Sequence, residues 1–141
     1  MRIYSDGASR GNPGDAAIAF IILDEDGNVM KRRAEYLGRR TNNQAEYEAL
    51  ICALDAATQM TNQAVTCKLD SELVVKHLNG EYRVKDPKLK GLWLEVQRLK
   101  RKFSRVTFSQ IARTNRYIQE VDSAANRVLD LYPKGSGPGR T

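Results

Sequence analysis

The sequence predicts an α/β fold, a mixed five-stranded sheet with helices on its faces. Three observations carry this. The first part of the chain reads as three strands joined by turn residues, and the rest alternates helix with strand. The chain is 141 residues long, which suits a single domain, since domains cluster at about 100–150 residues. No apolar run approaches the ~18–20 residues that cross a bilayer.

Ile3 to Gly7 reads as the first strand, followed by the turn Gly11-Asn12-Pro13-Gly14 and the apolar strand AAIAFIILD. Asp26-Gly27 supplies hairpin chemistry, and VMKRRAEYLG returns as the third strand. The period then changes. Glu46, Leu50, Ala53, Leu54 and Ala57 recur at helical spacing, and Thr41 with Gln44 fits a capping box. QAVTCKLD is the fourth strand, ending at Asp70, and Ser71 can cap the helix ELVVKHLNG, which stops at Gly80. Pro87 opens the helix KLKGLWLEVQRLKRKF, with Trp93 toward the core and the lysines outward. RVTFSQIA is the fifth strand, and a last helix is expected from about Gln119 to Leu131. Residues 1–132 form the expected domain, and 133–141, PKGSGPGRT, a disordered tail.

The N-terminus lacks a basic stretch followed by an apolar segment, so no secretion signal is read and a soluble, cytoplasmic protein is expected. Cys52 and Cys67 have neither C-x-x-C spacing nor a nearby histidine, which gives no support for zinc. Buried free thiols are expected, and a helix-to-strand disulfide stays open. The glycine turn after the first strand lacks both P-loop and G-x-G-x-x-G spacing, so a nucleotide cradle is poorly supported. Charge is unevenly placed. Residues 1–80 hold nine Lys/Arg against eleven Asp/Glu, whereas residues 81–116 hold eleven against three. Such a basic segment suits a polyanion, although a solvated lysine-rich helix face explains it equally well.

Four acids stand out. Asp6 sits inside the first strand, and Asp70 closes the fourth. Glu46 shares the inward face of its helix, and Asp122 lies near the expected start of the last helix. Singly, each has an ordinary explanation: helix-dipole complement for Glu46, a turn residue for Asp70, an N-terminal helix acid for Asp122. Together, converging carboxylates repel and are driven to protonate unless a cation is bound. Oxygen ligands without His or Cys select hard ions, Mg²⁺ or Mn²⁺. Three or four carboxylates can hold two such ions about 3.5–4 Å apart, the arrangement of in-line phosphoryl displacement.

The segments YSDGASRGNPG, TNNQAEYEALICAL, LDSELVVKHLNG and VDSAANRVL resemble the four signature segments of type 1 ribonuclease H, in the expected order and over nearly the whole chain to about Tyr132. The resemblance implies the ribonuclease H fold, with strand order 3-2-1-4-5, strand 2 antiparallel and helices on both faces. It implies endonucleolytic cleavage of the RNA strand of RNA–DNA hybrids by a two-metal mechanism, leaving 5′-phosphate and 3′-hydroxyl ends. By position, Asp6, Glu46, Asp70 and Asp122 match the catalytic metal ligands. Asn12, Asn42 and Asn43 match residues that read the hybrid's minor groove, chemistry suited to 2′-hydroxyls. Thr41 matches a contact to a phosphate of the DNA strand, a role compatible with capping its helix. A monomer without membrane contact is expected.

The chain departs from the pattern in two places. Many relatives carry a histidine in the mobile loop before the last aspartate, where this chain has ARTNRYIQEVD. Arg113 or Arg116 is the candidate to contact the scissile phosphate or product there. The spacing from Arg113 to Asp122 is two residues longer than usual, which alters the loop. The lone histidine, His77, falls inside a helix and reads as a packing or surface residue. HLNGEYRVKDPKLKGLW is also too short for the extra basic helix of some members, so the chain resembles the compact branch of archaea and some bacteria. Some of that branch also attack double-stranded RNA. The competing readings are a non-catalytic module binding hybrids or double-stranded RNA, and an integrase- or resolvase-like nuclease. Four clustered acids argue against the first, and the TNN-x-A-E helix start against the second.

Overall fold

The computed structural model describes residues 1–132, so the expected disordered tail lies outside the described residues. The elements in order are β1 (Arg2–Gly11), β2 (Gly14–Leu23), β3 (Val29–Arg40), α1 (Asn42–Ala57), β4 (Ala64–Leu69), α2 (Glu72–Leu78), α3 (Pro87–Lys100), β5 (Arg105–Gln110) and α4 (Arg116–Leu131). The sheet order is β3-β2-β1-β4-β5. β2 runs antiparallel to β1 and β3, while β4 is parallel to both β1 and β5.

Strand alternation divides the core in two. Ile3, Phe20, Ile22, Val65, Cys67, Leu69, Val106 and Phe108 face the layer of α1, α2 and α3. Tyr4, Ala17, Ala19, Ile21 and Leu23 face α4 alone, meeting Ile118, Val121, Ala125 and Leu129. β2 is apolar on both faces because it is covered on both, and full burial of each large side chain contributes ~1.5–3 kcal/mol.

Thr41 caps α1 in the expected box, accepting from Gln44 N–H while the Gln44 side chain accepts from Thr41 N–H. Ser71 caps α2, and Pro87 stands in the first turn of α3 behind the Asp86 cap. Other expectations shift. β1 runs on to Gly11 because it pairs with β2 down to Gly11 opposite Gly14. Gly11 takes a φ of 136°, where a side chain is disfavoured, and the Asn12–Pro13 peptide is cis. Asp70 stands one residue beyond β4. α4 starts at Arg116 rather than Gln119, since the Asn115 side chain accepts from the N–H groups of Tyr117 and Ile118. Asp122 therefore belongs to the second turn of α4, and the expected long loop shrinks to residues 111–115. Trp93 packs against the core as expected but stays half-buried, its indole N–H donating to the His77 carbonyl at 3.3 Å under the Lys90 ammonium. Both cysteines are free thiols, Cys67 buried as expected and Cys52 only half-buried.

Candidate active site

Asp6 is buried on β1 with its side chain toward the α4 face, a consequence of alternation with Ile3 and Gly7. The parallel register sets Tyr4 opposite Lys68, so two residues further on Asp6 and Asp70 lie side by side across β1 and β4. Glu46 arrives from α1, which can press onto β1 only because residue 7 is glycine. A Cβ on Gly7 would stand 2.2 Å from the Ala45 carbonyl carbon and 2.5 Å from the Glu46 nitrogen. At that contact Gly7 N–H donates to Glu46 Oε1 at 2.8 Å. One oxygen each from Asp6, Glu46 and Asp70 then lies within 4.8 Å of the others.

These three line a cavity of about 190 Å³ together with Gly7, Ser9, Asn42, Ser71, Arg113 and the exposed Asp122 of α4. The Asn126 amide donates to the Asp122 carbonyl at 2.9 Å and its Oδ1 at 3.4 Å, steadying that carboxylate on the helix. Arg113 donates through Nε to Asp70 Oδ2 at 3.1 Å. Burial, reinforced by hydrogen bonding and repulsion from Glu46, pushes the Asp6 carboxyl far above the usual range. Burial also pushes Glu46 up to about 7, against the lowering effect of bonds from Asp6 and Gly7.

Glu46 Oε2 is buried with no hydrogen-bond partner. An orphaned acceptor among carboxylates at this spacing, with neither His nor Cys, fits a hard divalent cation with oxygen ligands. Such an ion would offset the cost of ionising these buried carboxylates and the repulsion among them.

The expected substrate residues divide between two places. Asn42 lines the acidic cavity. Asn12, Thr41 and Asn43 line a neighbouring groove of about 470 Å³ closed by the start of α3 at Asp86, Pro87, Lys88 and Leu89. Asn12 Oδ1 accepts from Asn42 N–H at 3.1 Å, tying the β1–β2 turn to the α1 N-terminus between them. Arg116 is exposed at the first position of α4, its guanidinium 4.8 Å from the Tyr117 ring centroid. His77 is buried, its Nδ1 2.8 Å from the Tyr47 hydroxyl, so it is a packing residue. Sequence reading missed Ser9 and Ser71 on the cavity wall, while Lys88 on the groove belongs to the basic segment it singled out. Ser71 was legible as a neighbour of Asp70, whereas nothing local marks Ser9. It also missed Arg10, which ties the turn to α4 by donating to the Asn126 carbonyl at 3.2 Å and to Asp130.

A 3-2-1-4-5 sheet carrying carboxylates from β1, α1, the end of β4 and α4 around one cavity is the architecture of ribonuclease H-like proteins. A family model described as reverse transcriptase-like matches residues 4–128. The chain is 38% identical over 130 residues to ribonuclease HI of Halobacterium salinarum, covering 92% of this chain and 64% of that protein. The crystal structure of RNase H1 from that archaeon superposes with a TM-score of 0.86 at 37% identity, covering 92% of this chain and 96% of that one. LC11-RNase H1, solved in complex with an RNA/DNA hybrid, gives 0.84 at 36% identity, over 92% and 96% of the two chains. The bifunctional protein Rv2228c of Mycobacterium tuberculosis is 36% identical over 130 residues, 91% of this chain and 35% of that protein. The chain thus spans less than two thirds of the length of these two full-length relatives. It belongs to the type 1 ribonuclease H family.

Proposed function

We propose that this chain is an endoribonuclease that cuts the RNA strand of RNA–DNA hybrids with divalent metal, leaving 5′-phosphate and 3′-hydroxyl ends. The observation that carries the reading is the convergence of Asp6, Glu46 and Asp70 oxygens within 4.8 Å beside Asp122. The hybrid bound to LC11-RNase H1 supports the substrate class.

Asp6, Glu46, Asp70 and Asp122 would hold two Mg²⁺ ions, with Mn²⁺ a substitute. When bound, the metal supplies an activated water and charge neutralisation at the phosphate. The protein's own contributions are positional. β1 and the end of β4 hold Asp6 and Asp70 on rigid backbone, and Gly7 N–H fixes Glu46 through Oε1, leaving Oε2 buried and unpartnered. Asn42 at the cavity and Asn12 and Asn43 in the groove offer amides to 2′-hydroxyls and base edges of the hybrid's minor groove. Thr41, at the α1 N-terminus, takes a phosphate of the DNA strand. Arg113 exchanges Asp70 for the scissile phosphate or the product, the role for which Arg116 is the alternate. The active unit is the monomeric domain 1–132, working in the cytoplasm, and double-stranded RNA is a second substrate.

End-labelled RNA–DNA hybrid, double-stranded RNA and double-stranded DNA, each incubated with Mg²⁺, Mn²⁺ or EDTA, test the proposal. Metal-dependent cutting of the RNA strand is expected, with DNA duplex intact. Tight hybrid binding without cleavage in either metal would replace it with a non-catalytic binding module.

A further inference from the structure

We infer that the open face of β4 and β5 is a track for a single RNA strand leaving the acidic cavity. α4 packs across β1, β2 and β3, so among the described residues no helix packs on the α4-side face of the last two strands, where Arg105 is exposed and Thr66, Lys68, Thr107 and Ser109 are half-buried. Val65, Cys67, Leu69, Val106 and Phe108 are turned into the opposite core. Alternation therefore turns Thr66, Lys68, Arg105, Thr107 and Ser109 onto the open face. The Thr66 and Thr107 hydroxyls, 3.4 Å apart, sit together there. Register aligns the rest in rows, with Lys68 opposite Ser109 and Ala64 opposite Arg105.

The strip runs directly from the cut site. Lys68 precedes Asp70 by two residues, ~6.6 Å along the strand. Arg116 opens α4 beside Tyr117, whose ring centroid lies 4.8 Å from that of Tyr4, the β1 residue in register with Lys68. Lys68, Arg105 and Arg116 make no ion pair among the described residues, although eight pairs form elsewhere. Asp6 and Asp70 stand at the strip's cavity end. Arg2, opposite Thr66, approaches the hairpin at Gly27 and is not part of it.

A strip two strands wide is ~10 Å across. Unpaired cations with hydroxyls between them suit one phosphodiester backbone rather than a duplex. The RNA strand is the occupant because the cavity at the strip's end is where that strand would be cut. This rests on the proposed function. The DNA-strand phosphate proposed for Thr41 lies away from the strip, in the neighbouring groove.

The test compares a blunt hybrid with hybrids carrying a single-stranded RNA extension at the 5′ or 3′ end, using wild-type protein and Lys68→Gln/Arg105→Gln. Binding is measured in EDTA and cleavage in Mg²⁺. One of the two extensions should tighten wild-type binding with a log–log salt slope steeper by ~1.4, so that its advantage shrinks roughly sevenfold from about 50 to about 200 mM salt. The double variant should lose that advantage while cutting the blunt hybrid at the wild-type rate, and Lys68→Arg/Arg105→Lys should restore it. No advantage from either extension, or an equal loss on the blunt hybrid, overturns the track. If wild-type protein leaves the blunt hybrid uncut, the proposed function fails, and extension-dependent binding in EDTA still decides the track separately.

Discussion

Arg113 holds Asp70 across 43 positions of sequence, Nε to Oδ2 at 3.1 Å, with the arginine side chain 87% exposed and the aspartate 10% exposed. It is the cation that pairs with the carboxylate cluster among the described residues. Replacing Arg113 by alanine should cost little stability, within ~0.5 kcal/mol, because its guanidinium is almost fully exposed and solvent screens its pull on Asp70. Single-turnover hybrid cleavage should fall about tenfold or more, with Arg113→Lys recovering part of it. Unchanged single-turnover rates would remove Arg113 from the mechanism.

Asp70→Asn removes one charge from a crowded acidic site. Cleavage should be abolished. The melting midpoint of the metal-free protein should hold or rise by ~3 °C, what about 1 kcal/mol is worth at this size. Loss of fold along with activity would contradict a metal-ligand role.

Gly7→Ala places a methyl group 2.2 Å from Ala45 backbone. α1 has to move away, carrying Glu46 from its bond with Gly7 N–H. Urea denaturation should show a loss of ~3 kcal/mol or more, well beyond an ordinary surface change. A midpoint near wild type would mean that α1 does not need this close approach.

The raised carboxylates fix the direction of pH dependence. Glu46 moves from 4.5 to about 7, so between those values the native state holds a proton that the unfolded chain has lost. Its contribution is complete below pH 4.5 and is lost as pH climbs through about 7, which makes the metal-free protein less stable at neutral than at mildly acidic pH. Asp6 acts in the same sense. Urea midpoints in EDTA at about pH 5 and about pH 8 should differ accordingly, and added Mg²⁺ should raise the higher-pH midpoint most. A midpoint that rises with pH in EDTA contradicts the buried cluster.

Tyr47→Phe strands His77 Nδ1 without its 2.8 Å partner inside the α1–α2 contact. Stability should drop by ~1–3 kcal/mol while the cleavage rate at saturating metal stays the same. A rate loss without a stability loss would reopen a catalytic role for His77.

The sequence by itself determined what short-range chemistry can encode. Thr41 with Gln44 announced the α1 start, Pro87 the α3 start, and the shift from strand to helical period the order of elements. Asp6 and Glu46 could be picked out because a charge inside a strand or on an inward helix face contradicts ordinary patterning, whereas Asp70 and Asp122 stood out only with them and through the resemblance of their segments. The Asn115 cap was overlooked although its signal was local, and this misplaced Asp122 in its helix. Other features were decided only by tertiary structure. Glu46 reaches Gly7 across 39 positions, and Arg10 reaches Asp130 across 120. The division of Asn42 from Thr41 and Asn43, and the packing of α4 on β1, β2 and β3 alone among the described residues, depend on how helices settle on the sheet. Capping and periodicity act over a few residues, whereas these arrangements come from packing that brings distant segments together, and no local pattern carries that information.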